Sequence, residues 1–155
     1  MDNHTSRRRF LRTAGSAGVG FSILQAGSAR TYAANEKLNV ASIGAGGQAR
    51  SDIAGLSSQN IVAFADVDWD RAAKSFQEYP KAKQYKDYRK MLDEMHGEID
   101  AVIVAIPDHQ HFHASMTAIG HGKPVYTEKP LTHEVWEARE LARAAREAKV
   151  ATQMG

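Results

Sequence analysis

Short apolar runs alternate with stretches of helical spacing along most of this chain. Six stretches are predicted as strands: Val40–Ile43, Ile61–Ala65, Lys81–Tyr85, Ile99–Ile106, Pro124–Thr127 and Val150–Met154. The run Ile99–Ile106 has no polar alternation, which is typical of a strand covered on both faces of a parallel sheet. Lys81–Tyr85 is polar and is predicted only as a brief edge strand.

Helical patterns fill the intervals between these strands. The first predicted helix follows the first strand and has Ala49, Ile53 and Leu56 on one face. The second runs from Trp69 to Tyr79, and the third starts after Asp87. The fourth spans about His109–His121, and the fifth extends from Thr132 to about Lys149. Asp68, Asp87 and Thr132 are the predicted N-caps. The strand–helix alternation with short connections predicts an α/β fold, a doubly wound parallel sheet in three αβα layers.

The buried faces of three helices follow from helical spacing. In the second helix, Ala72, Ala73 and Phe76 are expected to point inward. In the third helix, the buried set is expected to be Tyr88, Met91, Leu92 and Met95. In the last helix, the buried set is expected to be Val135, Ala138, Leu141, Ala142 and Ala145. The methionines are interpreted as core filling.

A glycine-rich loop separates the first strand from the first helix. It reads Gly44-Ala45-Gly46-Gly47-Gln48-Ala49, a G-x-G-x-x-A pattern, and Asp66 ends the next strand 20 residues after Gly46. Gly44 permits a tight turn, Gly46 lets the backbone approach a pyrophosphate, and Ala49 lets the helix pack closely. The helix N-terminus offers N–H groups to an anion, and Asp66 can accept hydrogen bonds from ribose hydroxyls. The combination favours dinucleotide binding; a plain βαβ unit with a glycine turn is the alternative.

The charge is distributed unevenly along the chain. Residues 1–34 contain five arginines and one acidic residue, which leaves 15 basic and 17 acidic groups in the remainder. The net charge of +2 therefore implies no basic surface for nucleic acid. The absence of cysteine excludes disulfides, thiol catalysis and cysteine metal sites, and leaves the compartment open.

Residues 1–34 have the order of an export signal. The segment Ser6-Arg7-Arg8-Arg9-Phe10-Leu11-Arg12 resembles a twin-arginine motif, Thr13–Ala29 is uncharged, and small residues surround Ala29 and Ala33. We therefore expect a twin-arginine signal peptide, the export machinery as a partner, and a periplasmic or secreted location. A single-pass anchor and a disordered basic tail are the alternatives, although the uncharged stretch is shorter than the about 20 apolar residues of a membrane span.

Two further stretches carry a family resemblance. They are Ala105-Ile106-Pro107-Asp108 and the run Gly122–Pro130, which ends in Glu128-Lys129-Pro130 after a short predicted strand. In register with the glycine loop, they make residues 35–155 resemble the N-terminal NAD(P)-binding Rossmann domain of the Gfo/Idh/MocA oxidoreductases. Members of that family continue into an α/β substrate domain with an open antiparallel sheet. The resemblance therefore predicts the cofactor half of a longer enzyme, which would be able to form homo-oligomers at full length.

The resemblance implies a set of cofactor-binding residues at one edge of the sheet. They hold the pyrophosphate, the adenosine ribose or the nicotinamide: Gly44, Gly46, Gly47, Ala49, Asp66, Pro107, His111 and Glu128. Lys129 is implied to be the catalytic-site lysine. NAD is the expected cofactor, because Asp66 at the ribose would repel the 2′-phosphate of NADP. Arg71 lies close enough in sequence to keep NADP possible.

The family resemblance implies a nicotinamide-dependent oxidoreductase acting on a sugar, polyol or related hydroxy compound. NAD-dependent glycoside hydrolysis by transient oxidation is an alternative that uses the same cofactor domain. A cofactor-binding module without turnover is a third.

Alternate histidines at His109, His111 and His113 invite a metal interpretation. At the start of a helix they would fan out at about 100° per residue and would not converge on one ion, so no metal is predicted.

Overall fold

The structure is a computed structural model, and it describes residues 37–155. Six strands form one parallel sheet: β1 Asn39–Ile43, β2 Asn60–Ala65, β3 Lys83–Tyr85, β4 Ala101–Val104, β5 Val125–Thr127 and β6 Thr152–Met154. Their order across the sheet is β3-β2-β1-β4-β5-β6. The doubly wound parallel sheet predicted from the sequence is confirmed, although β4 is shorter than the predicted Ile99–Ile106.

Five α-helices within residues 37–155 connect the strands: α1 Gln48–Gly55, α2 Trp69–Glu78, α3 Tyr88–Met95, α4 His111–Gly120 and α5 Val135–Ala148. A single turn of 3₁₀-helix, Asp108–Gln110, precedes α4. The predicted caps at Asp68 and Asp87 are confirmed, because their carboxylates accept hydrogen bonds from the backbone N–H groups of Arg71 and Arg89. Within residues 37–155, no helix is long and apolar enough to cross a membrane.

The helices cover both faces of the sheet and create two apolar cores. One core packs α3, α4 and α5 against the sheet and is centred on Met91, Leu92, Phe112 and Leu141. The other core packs α1 and α2 against the opposite face through Ile53, Phe64 and Ala72. The predicted αβα layering is therefore confirmed. The interpretation of the α3 methionines as core filling is confirmed too, since Met91 and Met95 are buried.

The start of α5 differs from the prediction. Glu134, not Thr132, is the N-cap, and it forms a reciprocal capping box with Glu137, whose carboxylate accepts from the backbone N–H groups of His133 and Glu134 at 2.9 Å each. Val135 is 71% exposed and Ala142 is also exposed, so the prediction that they are buried is wrong. The sheet-facing stripe follows Glu137, Leu141 and Ala145 at four-residue spacing, and both mispredicted residues lie about 100° or more around the helix from Leu141.

The pairing register aligns the carboxyl ends of the strands. Ile43 pairs with Ala65 of β2 and with Val104 of β4, and Val104 pairs with Thr127 of β5. The segments that follow these strands therefore leave the sheet along one edge. The strand order reverses between β1 and β4, and in open α/β sheets ligands bind at this switch point. The signal peptide predicted for residues 1–34 lies outside the described residues.

Candidate functional site

The glycine loop leaves β1 in a conformation that Gly44 makes possible. Gly44 has φ +95°, and its backbone N–H donates to the carbonyl oxygen of Ala65 at 2.8 Å. A Cβ built on Gly44 would lie 2.2 Å from the carbonyl oxygen of Ala105, at the end of β4. Glycine is required here both by the positive φ and by the close approach of β4.

The next glycine brings the loop against α2. A Cβ on Gly46 would lie 2.9 Å from the carbonyl oxygen of Arg71 and 3.1 Å from its Cβ. The buried hydroxyl of Ser75, one turn further along α2, donates to the carbonyl oxygen of Ala45 at 2.5 Å. The absence of a side chain at Gly46 thus serves packing between loop and helix, in addition to the approach to a pyrophosphate predicted from the sequence.

The first turn of α1 is open to an anion. Gly47 is the N-cap with φ +58°, and no side chain caps the helix. Ala49 is fully buried against the sheet, which holds the helix axis close to β1. The free N–H groups and the positive end of the helix dipole therefore face the loop, as a phosphate-binding turn requires.

Asp66 joins β2 to the glycine loop. Its Oδ2 accepts from the backbone N–H of Ala45 at 2.8 Å, and its Oδ1 accepts from the N–H of Asp68 at 2.9 Å. The carboxylate is thus fixed beside the loop, and its remaining lone pairs are available to hydroxyl donors. We call Gly44–Ala49 together with Asp66 the glycine-loop region.

His111, at the first position of α4, bridges two loops. Its Nδ1 lies 2.7 Å from the carbonyl oxygen of Pro130, and its Nε2 lies 2.7 Å from that of Ile106. Carbonyl oxygens only accept hydrogen bonds, so the ring acts as a donor between the turn after β4 and the loop after β5. The side chain is only 2% exposed. A contact between His111 and a cofactor stays a prediction, since both ring nitrogens already face backbone oxygens.

The loop after β5 is fixed by buried polar groups. Glu128 is 8% exposed, its Oε1 accepts from the Tyr126 hydroxyl at 3.2 Å, and its Oε2 accepts from the backbone N–H of Lys129 at 3.2 Å. The hydroxyls of Thr127 and Ser115 are 2.8 Å apart in the core. The Lys129 side chain is exposed, and no carboxylate within residues 37–155 pairs with it. We call Pro107, His111 and Glu128–Pro130 the lysine-loop region.

A second acidic side chain lies beside Glu128. Burial raises the pKa of Asp52 in α1, and the nearby Glu128 raises it further, although a hydrogen bond from Gln48 at 3.0 Å opposes the shift. Asp52 Oδ2 is buried without a partner. Burial also raises the pKa of the Tyr126 hydroxyl, and its hydrogen bond to Glu128 raises this pKa further. This corner of the site therefore disfavours additional negative charge.

This chain is similar in sequence and fold to known proteins. The protein-family model described as "Oxidoreductase family, NAD-binding Rossmann fold" matches residues 38–155. The chain belongs to the Gfo/Idh/MocA oxidoreductase family. The matched residues are the NAD-binding Rossmann domain of that family, so NAD is the cofactor of this domain.

Individual Gfo/Idh/MocA relatives agree in sequence and in fold. An inositol 2-dehydrogenase from an Arthrobacter species is 32% identical over 113 residues, which are 70% of this chain and 33% of that protein. The crystal structure of an NAD-binding oxidoreductase from Klebsiella pneumoniae aligns with a TM-score of 0.67 at 30% identity, covering 77% of this chain and 34% of the other. A myo-inositol 2-dehydrogenase from Lactobacillus plantarum aligns with a TM-score of 0.70 at 25% identity, covering 77% and 36%. The chain spans about a third of the length of these relatives.

The residues predicted from the Gfo/Idh/MocA resemblance lie at one sheet edge in two groups. The glycine-loop region follows β1 and β2, and the lysine-loop region follows β4 and β5. Asp66 follows β2 and Glu128 follows β5, and these strands are three strand spacings apart in the sheet, which is about 15 Å. A ligand of two linked nucleotides therefore fits along the edge. The individual roles of these residues stay predictions.

Sequence reasoning missed several residues that shape this Gfo/Idh/MocA site. Ser75 is three positions after the buried Ala72, so the helical spacing of α2 contained a signal for a buried hydroxyl. No local pattern indicates that Asp52 and Tyr126 both lie near enough to Glu128 to influence its surroundings, because they come from α1 and β5.

The three alternate histidines do not converge in this domain. His111 is buried, whereas His109 and His113 are exposed. No group of three or more histidine, aspartate or glutamate side chains in the described part of the chain is arranged to hold a metal ion.

Proposed function

We propose that this chain supplies the NAD-binding part of an oxidoreductase that acts on a sugar, polyol or related hydroxy compound. The observation that carries the proposal is the strand register, which sets the glycine loop and the exposed Lys129 along one edge of the sheet. The Arthrobacter and Lactobacillus relatives are inositol dehydrogenases, and inositol is a polyol. This supports a polyhydroxylated substrate.

In this proposal the glycine-loop region binds the adenosine and pyrophosphate part of NAD. Backbone N–H groups at the start of α1 would hold the pyrophosphate, and Asp66 would accept hydrogen bonds from the ribose. When bound, the nicotinamide supplies the hydride-transfer chemistry. Pro107 and Glu128 border the part of the edge at which the nicotinamide would lie.

Lys129 is the proposed acid–base group. Its side chain leaves the loop after β5 and has no carboxylate partner among residues 37–155, so its amine is available to a substrate. In the neutral form, the amine would accept the proton of the substrate hydroxyl during oxidation, and in the charged form it would return the proton during reduction. His111 and Glu128 hold the backbone on either side of this residue.

The test combines a binding and a turnover measurement. Calorimetric titration of the 155-residue chain with NAD is expected to show one saturable site. The chain, and any longer product of the same gene, is then screened with inositols, hexoses and acyclic polyols while the absorbance of reduced nicotinamide is followed. Binding of NAD with reduction on one of these compounds supports the proposal. NAD binding with turnover only on substrates that lack hydroxyl groups would contradict the substrate class.

We further propose export by the twin-arginine route, on the basis of Arg7 and Arg8 in their motif. Residues 1–34 fused to a reporter that must fold before export should direct it out of the cytoplasm. Replacement of both arginines by lysine should abolish this export, whereas the same change at Arg12 and Arg30 should affect it less. Unchanged export of the Arg7→Lys, Arg8→Lys double variant would contradict the route.

A further inference from the structure

The Glu128 carboxylate links Tyr126 of β5 to the backbone of Lys129. It is 8% exposed, and no arginine, lysine or histidine in the described part of the chain forms an ion pair with it. The Tyr126 hydroxyl donates to its Oε1 and the backbone N–H of Lys129 donates to its Oε2, at 3.2 Å each. A buried carboxylate without a cation depends on such hydrogen bonds, so both donors fix the position of this side chain.

The surroundings hold the Tyr126 hydroxyl against Glu128. Gly155, directly after β6, donates its backbone N–H to the carbonyl oxygen of Thr127 at 2.9 Å. A Cβ built on Gly155 would lie 2.6 Å from Glu128 Oε1 and would also collide with the hydroxyl. Burial of the hydroxyl, its bond to Glu128 and the charges of Glu128 and Asp52 raise the pKa of Tyr126. The hydroxyl therefore stays a proton donor at neutral pH.

Asp52 of α1 acts on Glu128 in the opposite direction. Burial raises the pKa of Asp52, and the nearby charge of Glu128 raises it further. Asp52 Oδ2 is buried and has no hydrogen-bond partner among the described residues. The two carboxylates repel each other whenever both are charged. Glu128 is thus attracted by the Tyr126 hydroxyl and repelled by Asp52, and without the hydroxyl the repulsion would be unopposed at Oε1.

We propose that Tyr126 is a positioning residue for Lys129, an inference that rests on the acid–base role of Lys129 in the proposed function. The Tyr126 hydroxyl holds one oxygen of Glu128, and the other oxygen holds the backbone N–H of Lys129. The lysine amine lies at the end of a flexible four-carbon chain, so a small rotation of the backbone displaces it by a larger distance. Displacement of a reacting group by about 1 Å is able to lower a rate about 100-fold.

The first test uses the 155-residue chain and needs no turnover. Tyr126→Phe removes the hydroxyl and keeps the ring. Its matched control is Tyr85→Phe, because the Tyr85 hydroxyl of β3 also donates to a glutamate, Glu94 Oε2, at 3.1 Å. We expect Tyr126→Phe to speed hydrogen exchange of the Lys129 backbone N–H about tenfold, measured by NMR, whereas Tyr85→Phe should leave it unchanged. Unchanged exchange at Lys129 in Tyr126→Phe would overturn the proposal.

The second test uses a form of the protein that shows turnover. We expect Tyr126→Phe to lower kcat about tenfold while KM and the affinity for NAD stay within about twofold, because the hydroxyl contacts neither ligand. In a Glu128→Ala background, Tyr126→Phe should lower kcat little further, since the hydroxyl acts through that carboxylate. Fully additive effects of the two substitutions would contradict this route, and so would a rise in KM at unchanged kcat. Circular dichroism of each variant establishes that the fold is retained.

Lys129→Ala, measured in parallel, separates this proposal from the proposed function. Loss of turnover in Lys129→Ala with normal kcat in Tyr126→Phe would overturn the positioning role and leave the acid–base role of Lys129 intact. Near-normal turnover in Lys129→Ala would instead overturn that acid–base role, and with it the reason for positioning the lysine. Loss of turnover in Lys129→Ala with a reduced kcat in Tyr126→Phe supports both.

Discussion

The glycine-loop region and the lysine-loop region share one edge of the sheet, but different kinds of contact hold them. In the glycine-loop region, backbone atoms approach each other closely because Gly44 and Gly46 have no side chain, and Asp66 accepts from backbone N–H groups. In the lysine-loop region, buried side chains hold the loops together, since His111 bonds to the Pro130 carbonyl oxygen and Glu128 bonds to the Tyr126 hydroxyl. The first region depends on the absence of side chains and the second on their presence.

The difference indicates how each region is expected to fail. A side chain added at Gly44 or Gly46 collides with backbone atoms of Ala105 or Arg71, so the whole fold should lose stability. A polar side chain removed from the lysine-loop region leaves carbonyl oxygens without a donor, and the loop that carries Lys129 should shift locally. Four substitutions test this contrast, from the largest expected effect to the smallest.

Lys129→Ala should separate chemistry from cofactor binding. In a form of the protein that shows turnover, we expect the rate to fall about 100- to 10,000-fold, because a positioned proton-transfer group is lost. NAD affinity and thermal stability should stay close to those of the parent protein, since the side chain is exposed. The matched control is Lys81→Ala, an exposed lysine before β3, at the opposite edge of the sheet. Near-normal turnover in Lys129→Ala would make this lysine a surface residue.

Gly44→Ala should destabilise the entire domain. The new Cβ would lie 2.2 Å from the Ala105 carbonyl oxygen, at a φ that is unfavourable for alanine. We expect a loss of about 3 kcal/mol or more in the free energy of unfolding, measured by urea denaturation. Gly120→Ala, at a helical glycine with open space around it, should change the same quantity by less than about 1 kcal/mol. Equal effects of the two substitutions would contradict the close approach of β1 and β4.

His111→Ala should loosen the lysine-loop region with little effect on the glycine-loop region. The buried ring of His111 no longer bridges the carbonyl oxygens of Ile106 and Pro130 and a cavity forms, so we expect a destabilisation of about 2–4 kcal/mol. Turnover should fall as Lys129 moves, while NAD affinity is largely retained. His113→Ala, at an exposed histidine of the same helix, is the control for both measurements. A parallel loss of NAD affinity would show that His111 supports both regions.

Asp52→Asn should stabilise the domain slightly at neutral pH. In wild-type protein the raised pKa of Asp52 means that the folded state favours its protonated form, so stability is lost as the pH rises through that pKa. The amide carries no charge and ends the repulsion from Glu128. We expect a gain of about 1 kcal/mol or less at neutral pH, which disappears in acid where Asp52 is protonated. Urea denaturation at neutral and at acidic pH measures this gain in the free energy of unfolding. A gain that is independent of pH would contradict the electrostatic cause.

Sequence alone determined the order of elements, the three layers and the glycine-loop region. This was possible because each of these depends on signals within a short segment: the unbroken apolar run of β4, the carboxylate caps at Asp68 and Asp87, and the spacing from Gly46 to Asp66. The family resemblance likewise depended on a short segment, the Glu128-Lys129-Pro130 motif.

Tertiary structure decided which side chains support the site. His111 meets Pro130 across 19 residues, and Ser75 meets Ala45 across 30, so no periodicity within one element records either contact. The burial of Glu137 and the exposure of Val135 depend on the direction from which α5 approaches the sheet. Arg71 reaches Gly47 only because β2 and α2 fold back beside the loop. A hydrophobic pattern fixes which face of a helix is buried on average, whereas the partners of a polar group depend on segments that are distant in the chain.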